Sequence, residues 1–139
     1  VGRDVGKALQ AARAIDGDAT TVWRTEKYGT AAFNGRKPGV GIVLDLGATR
    51  TVTDVKVTLE DAGGTVELKV PAKPVESAPM KSVDQWETMA TAKDAAKTVT
   101  LTPEKPVETR FLLVYLSQLP SIAKGTYRGG IAEIVVDAR

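Results

Sequence analysis

Apolar and polar residues alternate with a period of two over most of this chain. Val55, Val57 and Leu59 alternate with Asp54, Lys56 and Thr58. Val66, Leu68 and Val70 alternate with Glu67 and Lys69, and Val99 and Leu101 alternate with Thr98, Thr100 and Thr102. Successive strand residues point to opposite faces, so each stretch predicts a strand with one wet face. Ile42 to Leu46 and Ile131 to Val136 add two more strands. Phe111 to Leu116 reads Phe-Leu-Leu-Val-Tyr-Leu, apolar on both faces. It predicts an interior strand, covered on one side by an opposing sheet and on the other by loops.

Turn signals separate these stretches: Asn34-Gly35, Lys37-Pro38-Gly39, Gly63-Gly64 and Gly129-Gly130. Short strands at this spacing predict a β-sandwich. Helix is expected only over Val5 to Ala14, whose Lys7, Ala8, Leu9, Gln10, Ala11, Ala12 and Arg13 suit one or two turns. The three prolines of Pro71 to Pro79 predict an extended connection between sheets rather than a domain boundary. The reading is one domain over residues 1–139, a length that supports a single core.

The 42% apolar and 26% charged fractions are those of a soluble globular domain. No stretch approaches the ~18 apolar residues of a membrane-spanning helix. The chain opens on Val1 rather than Met, as a processed or excised piece would. Net charge is +2, with no long basic run, so a nucleic-acid partner is not expected. Histidine and cysteine are both absent. That removes Ser-His-Asp and Cys-His nucleophilic sites and His-bearing zinc sites. No nucleophile and base converge elsewhere in the pattern, and no catalytic activity is expected.

Two places carry candidate chemistry. In Asp16-Gly17-Asp18-Ala19-Thr20-Thr21, two carboxylates and two hydroxyls crowd a tight turn, with Trp23 as its apolar anchor. Hard oxygen ligands in that arrangement suit calcium; an Asx-turn leading into a strand accounts for the same residues without metal. An EF-hand loop is excluded, because its central glycine and closing glutamate positions hold Thr21 and Lys27. The second place is a pair of loops. Tyr28 and Phe33 lie among Arg24, Lys27, Arg36 and Lys37, and Tyr127 lies between Lys124 and Arg128. Aromatic faces stack on sugar rings, and arginine pairs with carboxylate or phosphate. Tyr28, Phe33, Arg36, Tyr127 and Arg128 are therefore candidates for an anionic-ligand patch. The competing reading packs these aromatics onto the sandwich edge with solvated cations around them.

The ordered motifs add a resemblance. Asp16-Gly17-Asp18 is followed by Thr21 and Trp23, then by Gly39-Val40-Gly41-Ile42-Val43-Leu44-Asp45-Leu46-Gly47. Gln85-Trp86, Thr109-Arg110-Phe111-Leu112-Leu113-Val114 and Ile131-Ala132-Glu133-Ile134-Val135-Val136 come later. This succession resembles the discoidin, or F5/8 type C, family over nearly the whole chain. It implies an all-β, galactose-binding-like jelly-roll β-sandwich of about eight strands with little helix. Trp23-Arg24-Thr25, Tyr115-Leu116-Ser117-Gln118-Leu119-Pro120 and Tyr127-Arg128-Gly129-Gly130 resemble one branch more closely. That branch is the extracytoplasmic C-terminal domain of actinobacterial MviN-type membrane proteins, which join a lipid flippase to a pseudokinase region.

The resemblance implies a domain in the cell-wall space, tethered to the plasma membrane through a parent protein. Its partner would be a cell-wall glycan or peptidoglycan precursor, or else a periplasmic or septal protein. It also implies one structural calcium ion, held by Asp16, Asp18, Thr21 and Glu133 with main-chain carbonyls near Arg13 and Ala132. Glu133 lies between Ala132 and Ile134 in an otherwise apolar strand, where a buried carboxylate needs a cation or good hydrogen bonds. A salt bridge or a solvent-facing position satisfies it equally. The family's sugar binders often place histidine at the site, and this chain has none.

Overall fold

The computed structural model describes residues 2–4, 23–32, 39–73 and 85–138. The helix expected over Val5 to Ala14, the Asn34-Gly35 turn and most of the proline connection lie outside the described residues. Among the described residues there are ten strands: β1 (Gly2–Asp4), β2 (Trp23–Arg24), β3 (Val40–Leu59), β4 (Thr65–Pro71), β5 (Trp86–Ala92), β6 (Thr98–Leu101), β7 (Val107–Gln118), β8 (Ser121–Ala123), β9 (Thr126–Tyr127) and β10 (Gly130–Ala138). Eight of them form one antiparallel sheet in the order β2-β10-β3-β7-β4-β5, with β1 and β6 also paired to β3. The small hairpin β8-β9 stands beside it.

The 20-residue β3 makes a sandwich out of this one sheet. The sequence predicts two strands here, and the chain joins them. The first half pairs with β7, from Val40 opposite Leu116 to Asp45 opposite Phe111. The register then slips before Arg50 meets Thr109. Gly47 sits at the slip with φ +84, a conformation that favours glycine. The Gly47 amide donates to Asp45 Oδ1 at 2.8 Å. Beyond this bulge β3 pairs with β10 on one side and β6 on the other. A bulge of this kind bends a strand, and here it carries the sheet round a corner.

The core lies inside the corner. Val55, Val57 and Leu59 of β3 meet Val66, Leu68 and Val70 of β4, and Leu112, Val114 and Leu116 of β7. Ile131 and Ile134 of β10 close it. Their spacing of three breaks the period of two. A register slip between Ile131 and Glu133 restores both to the core. Burying each such side chain contributes about 1.5–3 kcal/mol against leaving it in water.

Strand β7 is buried on both faces from Phe111 to Leu116, as its sequence predicts. Phe111, Leu113 and Tyr115 form a second cluster with Val43 and Trp86 on the face turned away from the core. Lys69 is nearly buried beside it, 5.3 Å from the Tyr115 ring centroid. Its Nζ donates to Thr88 Oγ1 and lies 3.2 Å from Glu67 Oε1. Burial pushes the Glu67 carboxyl up, but hydrogen bonds from Ser117 and Lys69 outweigh it and leave the group below the usual carboxylate range.

Strand β5 is not evident in the period-two pattern. Its sequence Trp-Glu-Thr-Met-Ala-Thr-Ala carries two large apolar residues, Trp86 and Met89, at a spacing of three that breaks the period of two. Among the described strands it lies at the end of the order and pairs with β4 alone.

Candidate functional site

The first described loop and the β9-β10 region run side by side. Trp23 stands opposite Ile131 and Arg24 opposite Gly130. The Thr25 amide donates to the Gly129 carbonyl at 2.9 Å, and the Gly129 amide donates to Thr25 Oγ1 at 3.1 Å. Tyr28 and Tyr127 exchange both backbone hydrogen bonds, each 2.8 Å. The Leu119 amide then donates to the Ala31 carbonyl at 3.0 Å. Two loops a hundred residues apart in sequence thus form one continuous surface strip.

The strip brings together some of the candidate residues. Tyr28 is 7% exposed and belongs to the core cluster. Tyr127 is partly buried and packs against the same cluster. Arg128 is joined to Glu60, with Nη2 3.4 Å from Oε1. Phe33 and Arg36 lie outside the described residues, as do Asp16, Asp18 and Thr21. Glu133 is half-buried on β10 opposite Thr58, on the outer face of the sheet.

The structure adds two residues to this end. Glu60 follows the last residue of β3, and its amide donates to the Gly130 carbonyl at 2.9 Å. Its carboxylate accepts from Arg24 Nε at 2.8 and 2.9 Å and also from Arg24 Nη2. The Arg24 guanidinium, with Arg128 beyond it, holds the Glu60 carboxyl below its ordinary value. Glu60 therefore anchors two arginines on the strip. In the sequence, Glu60-Asp61 at a strand end beside Gly63-Gly64 reads as a simple turn. Arg24 and Arg128 are 36 and 68 residues from it, and nothing local signals either pair. The Arg128 Nε is buried and has no hydrogen-bond partner among the described residues.

A concave feature lies elsewhere. A cleft of about 370 Å³ opens where β4 ends and β5 and β7 begin, lined by Pro71, Glu87, Met89, Glu108 and Arg110 among others. Since β7 runs from this cleft towards the loop strip, the two lie at opposite ends of the sandwich.

No protein-family model matches the chain, and no curated protein sequence matches it significantly. Solved structures do. One is chitosan-binding module 2 of a chitosanase/glucanase from Paenibacillus sp. IK-5, in complex with chitotriose. It is 22% identical with a TM-score of 0.68, over 98% of this chain and 92% of that one. The fold is that of carbohydrate-binding modules. The module CpGH89CBM32-6 from Clostridium perfringens superposes with a TM-score of 0.67 at 9% identity, over 100% of this chain and 93% of that one. The CBM32 module of AlyQ, in complex with 4,5-unsaturated mannuronic acid, gives 0.67 at 12% identity, over 99% and 93%. The eight-stranded jelly roll expected from the sequence is thus the fold of a carbohydrate-binding module. Identities this low speak to the fold alone.

Proposed function

We propose that the chain is a non-catalytic module that binds a cell-wall glycan or a lipid-linked peptidoglycan precursor outside the membrane. The observation that carries this reading is the exchange of backbone hydrogen bonds between Tyr28 and Tyr127. It places Arg24, Tyr127 and Arg128 on one strip, in a fold that the chitotriose-bound and mannuronate-bound modules also have. Tyr127 offers a partly exposed ring for a sugar face, and the arginines offer donors for a carboxylate or phosphate. Tyr28 has a different role, because its buried ring sets the height of the strip from below. The resemblance to the MviN branch supports an extracytoplasmic position and a membrane-anchored parent protein.

The test is retention on purified peptidoglycan, with wild type beside a Tyr127→Ala, Arg128→Ala variant and melting curves for both. Retention of wild type, lost in a folded variant, is the expected result. A wild type that passes through unretained favours the other class of function, docking of a periplasmic or septal protein. Docking needs only an exposed surface of about 800 Å² per partner.

A further inference from the structure

The cleft at the opposite end of the sandwich has the build of a binding site. Its volume of about 370 Å³ lies within the range of small-molecule pockets, about 300–1,000 Å³. Its floor is apolar: Val70 is buried, and Met89 and Val107 pack against the core from the side of the cleft. Its rim is polar, carrying Lys73, Glu87, Glu108 and Arg110.

The rim is held in place from below. Arg110 donates from Nε to Asp45 Oδ1 at 2.8 Å and from Nη2 to Asp45 Oδ2 at 3.0 Å. Its guanidinium lies 5.1 Å from the Phe111 ring centroid. The Thr109 hydroxyl donates to the Phe111 carbonyl at 2.8 Å, which fixes the backbone on either side of Arg110. Glu87 stands opposite Val70 on β5, and Glu108 stands opposite Thr51 on β7. Both carboxylates are thus carried by paired strands rather than by free loops.

With Asp45, the partner of Arg110, counted as well, the charges around the cleft do not balance. Arg110 and Asp45 neutralise each other. That leaves two carboxylates, Glu87 and Glu108, against one ammonium, Lys73. An apolar floor takes the C–H face of a sugar ring, and acceptors at the rim take its hydroxyl and ammonium protons. The surplus carboxylate selects a cationic ligand over an anionic one. We propose that this cleft is a second saccharide site, shaped for one or two rings and selecting sugars with a free amino group. The seven residues of β7 from Leu112 to Gln118 separate it from the loop strip by roughly 25 Å, so the two sites act independently.

The probe is the β-1,4 disaccharide of glucosamine, beside its fully N-acetylated form, titrated into isotope-labelled protein. Amide signals of Glu87, Met89 and Glu108 are expected to shift and saturate with the free-amine form. A Glu87→Gln, Glu108→Gln variant, with an unchanged melting temperature, should bind about tenfold more weakly through loss of charge-assisted hydrogen bonds. Lys73→Gln should bind more tightly. A Tyr127→Ala, Arg128→Ala variant should leave the response intact, which separates this site from the loop strip. The proposal is overturned by no saturable shift at these amides, by an equal response to the acetylated form, or by an unchanged affinity in the double glutamine variant.

Discussion

Asp54 stands directly opposite Asp137 in the antiparallel pairing of β3 with β10. Like charges in that position repel. Partial burial raises the Asp54 carboxyl above its ordinary value, and a hydrogen bond to Asp137 and the charge of Asp137 raise it further. The sign follows from linkage. A carboxyl that holds its proton more tightly folded than unfolded weakens the fold as it ionises. The penalty is absent well below pH 3.8 and grows as pH rises through the elevated folded value. Asp137→Asn is therefore expected to raise the melting temperature at pH 7 and to leave it unchanged at pH 3. Thermal denaturation of both proteins across that range checks it.

Asp45 is the opposite case. The Arg110 hydrogen bond, followed by the Gly47 amide, holds its carboxyl down at about 2. A depressed folded value stabilises the protein above the ordinary carboxylate range, and the gain is lost as pH falls towards 2. Asp45→Asn should lower the melting temperature at pH 7. The gap from wild type should shrink as the pH is brought down to 2. High salt should narrow it too, because both groups are about a third exposed.

Gly41 stands opposite Tyr115 in the pairing of β3 with β7. A Cβ built there would overlap the Val114 carbonyl oxygen and sit 2.9 Å from the Leu113 side chain. The oxygen belongs to a paired strand and cannot move aside without breaking the register. Gly41→Ala is expected to destabilise by about 1–3 kcal/mol, the range for overpacking a core. Urea denaturation with an unchanged slope is the measurement.

Much of the sandwich can be read from the period-two pattern, because one buried face per strand is all that such a pattern encodes. The fusion of two strands into β3 is not visible in it. That depends on Gly47, which looks like an ordinary turn glycine until its partner strand is known. The position of Ile134 is hidden for the same reason, since a slip in register changes which face a residue shows. At the candidate site the loop aromatics were conspicuous, but their composition did not divide core from surface. Tyr28 went inward and Tyr127 stayed at the edge. Glu60 carries no signal in the sequence, because its meaning comes from Arg24 and Arg128, which are close to it only in the folded chain.

Tyr28 separates the two roles by experiment. Truncating a buried aromatic costs about 3–5 kcal/mol. Tyr28→Ala should approach that loss, while Tyr127→Ala, at a half-buried position, should cost less. Tyr28→Phe removes only the hydroxyl and keeps the ring in the core, so it should keep most of the stability. Equal losses for the two alanine variants would place both rings in the core and remove Tyr127 as a sugar platform.

The calcium expected from the sequence has a measurable consequence. Strand β2 meets β10 at Trp23 and Ile131. Trp23 is two residues beyond Thr21, and Ile131 is two residues before Glu133. The register slip also takes Ala132 out of the regular ladder, as a bulge does to its extra residue. The pairing thus brings the strand after the Asp16–Thr21 loop to the strand that bears Glu133. Calcium takes six to eight oxygens, which carboxylates, a hydroxyl and main-chain carbonyls together supply. We propose that Asp16, Asp18, Thr21 and Glu133 share one ion. An ion bound only by the folded state stabilises it by about 2.7 kcal/mol at a hundredfold excess over its dissociation constant. Protein stripped of metal should melt lower and recover on adding calcium. Glu133→Gln should start at the stripped value and respond weakly or not at all. A melting curve indifferent to calcium in the stripped wild type would reduce the loop to an Asx-turn. The fold would stand in either outcome, because the core that closes the sandwich lies between β3, β4, β7 and β10 and owes nothing to the ion.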